Sequence, residues 1–206
     1  MSAKLYFRYG AMGSSKTANL LMVAHNYESQ GKKVLLIKPS LDTRSETQKI
    51  ESRTGLCAEC IDIDNTSNIR NIFLTLVNTN NFEYHAILVD EAQFLTKYQV
   101  KQLAKMVDTY NIPVIAYGLK NSYIDGELFE GSQALLYYSN KIEEIKTVCS
   151  CPECNSKATM NLRILNGKAV YNGEMINCGD TKPTSDYYMP VCRKHYYNPI
   201  DSYNLK

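Results

Sequence analysis

The residues that most restrict the fold are Gly10 to Thr17, Gly-Ala-Met-Gly-Ser-Ser-Lys-Thr, which follow directly on a short apolar run, Leu5 to Tyr9. The run reads as a buried strand. The stretch behind it approaches the pattern G-x-x-x-x-G-K-[ST], in which backbone N–H groups curl round a β-phosphate, the lysine reaches the β and γ oxygens, and the hydroxyl holds Mg²⁺. Gly10, Lys16 and Thr17 fit, Ala11, Met12, Gly13 and Ser14 fill the variable positions, and Ser15 stands where the last glycine is expected. Serine fits there if its φ stays negative, because only glycine enters the left-handed region freely. Ala18 to Gln30 then carries Leu20, Leu21, Val23, Ala24 and Tyr27 at helical spacing, with Gly31 as a stop. Lys16 and Thr17 thus fall at a helix N-terminus, where unpaired N–H groups and the dipole favour an anion.

A second strand is expected over Lys33 to Ile37, ended by Pro39, which completes a β-α-β unit and calls for a right-handed crossover in a parallel sheet. Ser40 to Gly55 is polar and charged and reads as a surface loop beside the nucleotide. A helix over Ile69 to Asn78, a strand over Ala86 to Val89, a helix over Thr96 to Tyr110 and a strand over Pro113 to Tyr117 follow. This alternation predicts an α/β fold of the RecA-like phosphate-loop type, a mainly parallel sheet with helices on both faces. After about Lys146 the pattern gives way to cysteines, glycine turns and short strand-like pieces, Met160 to Leu165 and Lys168 to Tyr171. Two domains are therefore expected, a nucleotide-binding domain over 1–146 and a small metal-binding module over 147–206.

The chain has 206 residues, enough for one α/β core and a small appendage. Its net charge is only +2, with no basic run, which argues against nucleic acid as a partner. No stretch has the length of a membrane span and the N-terminus lacks a signal-peptide core, so a soluble, cytoplasmic protein without a membrane partner is expected. In a reducing compartment its cysteines would serve as metal ligands or free thiols.

Asp90 and Glu91 follow the apolar run Ala86 to Val89. Ligands of open parallel sheets bind at the carboxyl ends of strands, so the pair should lie beside the phosphate loop. Asp90 is then placed to support Mg²⁺ and Glu91 to take a proton from a nucleophile. A water nucleophile would make an ATPase, a sugar hydroxyl a kinase.

Cys151-x-x-Cys154 and Cys192-x-x-His195 form two knuckles suited to a closed tetrahedral zinc site. Cys149 competes for the first knuckle, but Cys149-x-Cys151 is shorter than the usual two-residue span. Cys57 and Cys60 have similar spacing and no second pair nearby, and read as structural or incidental. His25 and His85 read as packed or solvated.

Together the segments GAMGSSKT, KPSLDTRS, ILVDEAQFL, YGLKNSY, ELFEG, CPEC and PVCRKHY, in that order, resemble the type II, cytosolic-type thymidine kinases over nearly the whole chain. The resemblance implies ATP with Mg²⁺ as donor, thymidine as acceptor, structural zinc and a homotetramer. It implies that Asp42, Thr43, Arg44 and Gln93 join the phosphate loop and Asp90 on the ATP side, and that Glu91 is the general base for the 5′-hydroxyl. Phe94, Leu119, Tyr123 and Phe129 would face the nucleoside, with Tyr123 standing where the family commonly has phenylalanine stacked on thymine. A zinc-held lasso through Met175, Ile176, Asn177, Cys178 and Gly179, with Tyr188 behind it, would close over the base. The chain departs from the family pattern at Ser15, in a Gly118 to Phe129 segment one residue longer, and in Thr181 to Asp186, which reads as an insertion. A RecA-like ATPase acting on nucleic acid or protein, or a non-catalytic nucleotide-binding regulator, are the competing readings.

Overall fold

A computed structural model describes residues 2–40, 48–81, 83–175 and 185–199. Its elements in chain order are β1 (Leu5–Tyr9), α1 (Lys16–Glu28), β2 (Val34–Pro39), β3 (Lys49–Glu51), β4 (Cys57–Glu59), β5 (Ile61–Ile63), α2 (Ile69–Asn80) and β6 (Ala86–Val89). After a 3₁₀ turn at Ala92–Phe94 come α3 (Lys97–Tyr110), β7 (Val114–Gly118), α4 (Glu130–Tyr138), β8 (Lys141–Glu144), β9 (Met160–Leu165), β10 (Lys168–Val170), β11 (Asp186–Val191) and α5 (Arg193–Tyr197).

Six strands form one sheet in the order β5-β2-β6-β7-β1-β8, and every pairing in it is parallel. Side chains alternate between its faces, as the pleat requires. Leu5, Phe7, Leu35, Ile37, Ile87, Val89, Val114 and Ala116 pack with Phe73 of α2, Val100 and Leu103 of α3 and Leu135 of α4. Leu36, Ala86, Leu88, Ile115 and Tyr117 face the other way, onto Leu20, Leu21 and Ala24 of α1. Apolar residues at both phases explain why these strands are uninterrupted apolar runs, and why helices cover both faces. Thr96 and Gln99 close a capping box that fixes the start of α3. Among the described residues no helix is long and apolar enough to cross a membrane.

The stretch expected to be a surface loop, Ser40 to Gly55, contains β3, which pairs antiparallel with β4 and buries Ile50. β5 then joins the edge of the main sheet beside β2. Three-residue strands are too short to display an alternation, which is why the sequence reading passed over them; it also passed over α4 and β8. Beyond β8 a separate antiparallel sheet, β10-β9-β11, packs Leu162, Ile164, Tyr187 and Val191 against Cys149, Cys151, Cys192 and Tyr196. β11 begins at Asp186, the last residue of the segment read as an insertion.

Candidate active site

The phosphate loop leaves β1 at Gly10, whose backbone passes where no side chain fits: a Cβ there would come within 2.3 Å of Ser14 Oγ and 2.5 Å of Ile145 O. Gly13 has φ +71°. Ser15 has φ +59° and ψ +30°, so the condition of a negative φ is not met: serine adopts the left-handed conformation that the usual glycine takes without cost. The turn into α1 imposes that conformation whatever residue stands there. Lys16 is buried, and its Nζ donates to the carbonyls of Ala11 at 2.9 Å and Gly10 at 3.4 Å.

Sheet order brings the acidic pair to this loop. β6 is separated from β1 by β7 alone, and the Thr17 hydroxyl donates to Asp90 Oδ2 at 2.9 Å. Asp90 is 5% exposed. Burial, and next the neighbouring Glu91 carboxylate, push its carboxyl well above the usual carboxylate range, while the Thr17 hydrogen bond pulls it back. Two adjacent carboxylates and a hydroxyl, one carboxylate out of water, are an oxygen donor set suited to Mg²⁺.

Glu91 has φ +45° and ψ +40°, a left-handed conformation at the end of a strand. Such outliers persist where surrounding contacts over-determine them. Here the contacts run through Gln93, 2% exposed, whose Nε2 donates to Glu91 Oε2 at 2.6 Å and whose Oε1 accepts from the Leu119 N–H at 3.0 Å. Gln93 therefore joins the acidic pair to the loop after β7. Gly118 and Gly131 make room for this turn: a Cβ at Gly118 would meet Gln93 Oε1 at 2.8 Å, and one at Gly131 would meet the Ala92 carbonyl at 2.5 Å.

Phe94 and Phe129 pack edge to face, 5.6 Å between centroids, and the Leu119 carbonyl accepts from Ser132 Oγ at 2.6 Å. Tyr123, 2% exposed, lies edge-on to Tyr188 at 5.7 Å, and the Arg163 guanidinium sits 5.2 Å from its ring. The Tyr123 hydroxyl donates to the Glu174 carbonyl at 2.9 Å and accepts from Arg163 Nη1 at 3.1 Å. Arg163 is held by both carboxylate oxygens of Asp186, at 2.9 and 2.6 Å, a paired contact that keeps the Asp186 carboxyl below its usual range. Asn161, also on β9, reaches the backbone of both Met12 and Asn121. The sequence reading missed Asn161 and Arg163. The available signal was two polar residues at i and i+2 in an otherwise apolar strand, one face of β9. Met175 is half-buried; Asp42, Thr43, Arg44, Ile176, Asn177, Cys178 and Gly179 lie outside the described residues.

The metal knuckles come together with one exchange. The side-chain donors of Cys149, Cys154, Cys192 and His195 all lie within 4.8 Å of one another, whereas Cys151, chosen on spacing, is outside this set with its thiol against that of Cys149. The two cysteines differ in their backbone pairing. Cys149 N–H donates to the Ser156 carbonyl, on a bridge between Val148 and Lys157, while the Cys151 carbonyl accepts from Cys154 N–H in the following turn. Cys154 Sγ is 4.0 Å from Cys192 Sγ, and His195 Nδ1 is 3.4 Å from the sulfurs of Cys149 and Cys192. Tetrahedral zinc with bonds of about 2.3 Å to sulfur separates its ligands by about 3.8 Å, so these three thiols and one imidazole fit that ion.

A glycine turn feeding a helix, with a buried aspartate on its threonine at the carboxyl end of a parallel sheet, places the protein among the phosphate-loop nucleotide-binding proteins. Within that class the sequence profile of the thymidine kinases matches residues 3–196. The chain belongs to the thymidine kinase family. It is 48% identical over 197 residues to the thymidine kinase of Lactococcus lactis subsp. lactis, covering 96% of this chain and 98% of that one. With the thymidine kinase of Enterococcus faecalis the identity is 46% over 197 residues, 96% of each chain. Among solved structures, the Pif1 helicase of Candida albicans matches 70% of this chain and 36% of its own with a TM-score of 0.43 and 12% identity, a likeness too loose to inform fold or function.

Proposed function

We propose that the protein transfers the γ-phosphate of ATP to the 5′-hydroxyl of thymidine, giving dTMP and ADP, with deoxyuridine as an acceptor of the same chemistry. The observation that carries this reading is the bond from Gln93 to Glu91, because the same amide holds Leu119 in the loop assigned to the nucleoside. On this reading Glu91 would stand between donor and acceptor, where a carboxylate takes the hydroxyl proton as the bond to phosphorus forms. Lys16, freed from its loop carbonyls, would face the β and γ oxygens, and Thr17 and Asp90 would hold Mg²⁺, which neutralises charge developing on the phosphate. By resemblance Asp42, Thr43 and Arg44 add to the phosphate side, and Met175 to Gly179 and Tyr188 to the base side. Phe94, Phe129, Leu119 and Tyr123 would supply the apolar and aromatic wall expected of a base site. Cys149, Cys154, Cys192 and His195 would hold structural zinc in a module beginning near residue 147. A cytoplasmic homotetramer is the assembly that the family resemblance supports.

Glu91→Gln tests the assignment. Loss of a positioned base lowers dTMP formation by about 10²–10⁴-fold, while binding of a non-hydrolysable ATP analogue stays intact. Undiminished turnover removes Glu91 from the role, and hydrolysis of ATP that ignores thymidine would return the protein to the ATPase reading.

A further inference from the structure

Asn161 is 1% exposed. Its neighbours on β9, Leu162 and Ile164, point into the core beside the Cys/His cluster, so Asn161 projects from the opposite face, together with Arg163. A buried amide is tolerated only when its donors and acceptors are matched. Here both partners are backbone groups of other segments. Oδ1 accepts from the Met12 N–H at 2.8 Å, and Nδ2 donates to the Asn121 carbonyl at 3.0 Å. A donor on one side and an acceptor on the other permit this orientation of the amide and not its flip.

Met12 belongs to the phosphate loop, and Asn121 stands between Leu119 and Tyr123 in the loop after β7. One side chain of the small sheet therefore ties together the two segments that flank the reaction. Its bond commits the Met12 N–H to anchoring the loop. That anchor acts on a loop with left-handed backbone at Gly13 and Ser15. A loop with such conformational cost has most to gain from being fixed beforehand. β11 approaches the same loop: a Cβ on Gly13 would lie 4.0 Å from Pro190 Cγ.

We propose that Asn161 is a positioning residue that couples the two substrates. A nucleoside seated against residues 119–129 fixes Asn121, Asn121 fixes the Asn161 amide, and the amide fixes the phosphate loop at Met12, so ATP binds more tightly once the nucleoside is in place. By linkage ATP tightens the nucleoside by the same factor. This inference rests on the thymidine kinase reading of the site.

The test is a titration of the intact protein with a non-hydrolysable ATP analogue and Mg²⁺, with and without saturating thymidine, repeated on Asn161→Ala and Asn161→Asp. In the intact protein thymidine lowers the analogue Kd by about tenfold, the scale of one or two buried hydrogen bonds. In Asn161→Ala the ratio falls to near one, whereas a merely structural role would weaken both titrations equally and leave the ratio unchanged. Asn161→Asp keeps the size and the acceptor toward Met12 but not the donor toward Asn121, so its ratio also falls; it decides the matter if the alanine variant does not fold. A tenfold ratio retained in either folded variant, or no tightening in the intact protein, overturns the coupling. Formation of dTMP by the intact protein is measured alongside. Its absence defeats the kinase reading, while normal dTMP formation with an unchanged ratio defeats only the role of Asn161.

Discussion

The phosphate loop takes consecutive residues, Gly10 to Thr17, from one strand-to-helix junction, whereas the loop facing it, residues 119–129, takes its shape from side chains far away in the chain. Backbone conformation does the work on the first side: Gly13 and Ser15 are left-handed, and Gly10 passes where a Cβ would strike Ser14 and Ile145. On the second side the contacts come from the small sheet and the helix beside the Cys/His cluster. Asn161 holds Asn121, Arg163 and the Glu174 carbonyl hold the Tyr123 hydroxyl, Tyr196 donates to the Tyr123 carbonyl at 2.8 Å, and Tyr197 donates to Asp125 at 2.9 Å. A site for a phosphate needs little beyond ordered N–H groups and a positive end, which one turn supplies. A site that selects one base needs walls fixed on several sides, and those are assembled from distant segments.

Metal withdrawal should separate the two sides most sharply. Structural zinc is coupled to folding, so a strong chelator, or Cys154→Ser, should lower the melting temperature by on the order of 10 °C. Thymidine binding should be lost while the ATP analogue still binds, without the tightening that the Asn161 anchor lets thymidine confer. Equal loss of both ligands would show that the phosphate side needs the module for more than the Asn161 anchor. A smaller effect is expected from Arg163→Met, which removes the guanidinium that Asp186 holds and that donates to the buried Tyr123 hydroxyl. The KM for thymidine should rise about tenfold, with the KM for ATP little changed; steady-state kinetics with each substrate varied in turn checks this. Smallest is Ser15→Gly on the other side. It removes a left-handed serine and should raise stability by about 1 kcal/mol, the left-handed penalty offset in part by glycine's chain entropy. Denaturant unfolding gives that value, and thymidine binding should not move.

This contrast also governs what could be read from the sequence. β1, α1, β2, β6 and β7 were legible because each is a continuous apolar run or a helical stripe, and Gly10 to Thr17 because its chemistry is contiguous. Asp90 and Glu91 were legible because strand ends in parallel sheets carry ligands. The small strands β3, β4 and β5 were not, since their pairing is set by tertiary contact and leaves no period to detect. The sign of φ at Ser15 was not legible, because the loop's backbone, not the side chain, fixes it. The place of Cys149 was hidden by spacing: a two-residue knuckle favours Cys151, but the Cys149 sulfur, next to the bridge between Val148 and Lys157, lies 3.4 Å from His195 Nδ1. Asn161 and Arg163 stayed hidden because their partners, Met12, Asn121, Tyr123 and Asp186, are local in space and remote in sequence.

The most direct measurement is incubation of the purified protein with γ-labelled ATP, Mg²⁺ and thymidine, with the products separated by chromatography. Label recovered in dTMP, dependent on thymidine and lost in Glu91→Gln, is the expected result. Label released as inorganic phosphate at the same rate with or without thymidine, and none in dTMP, would contradict the account.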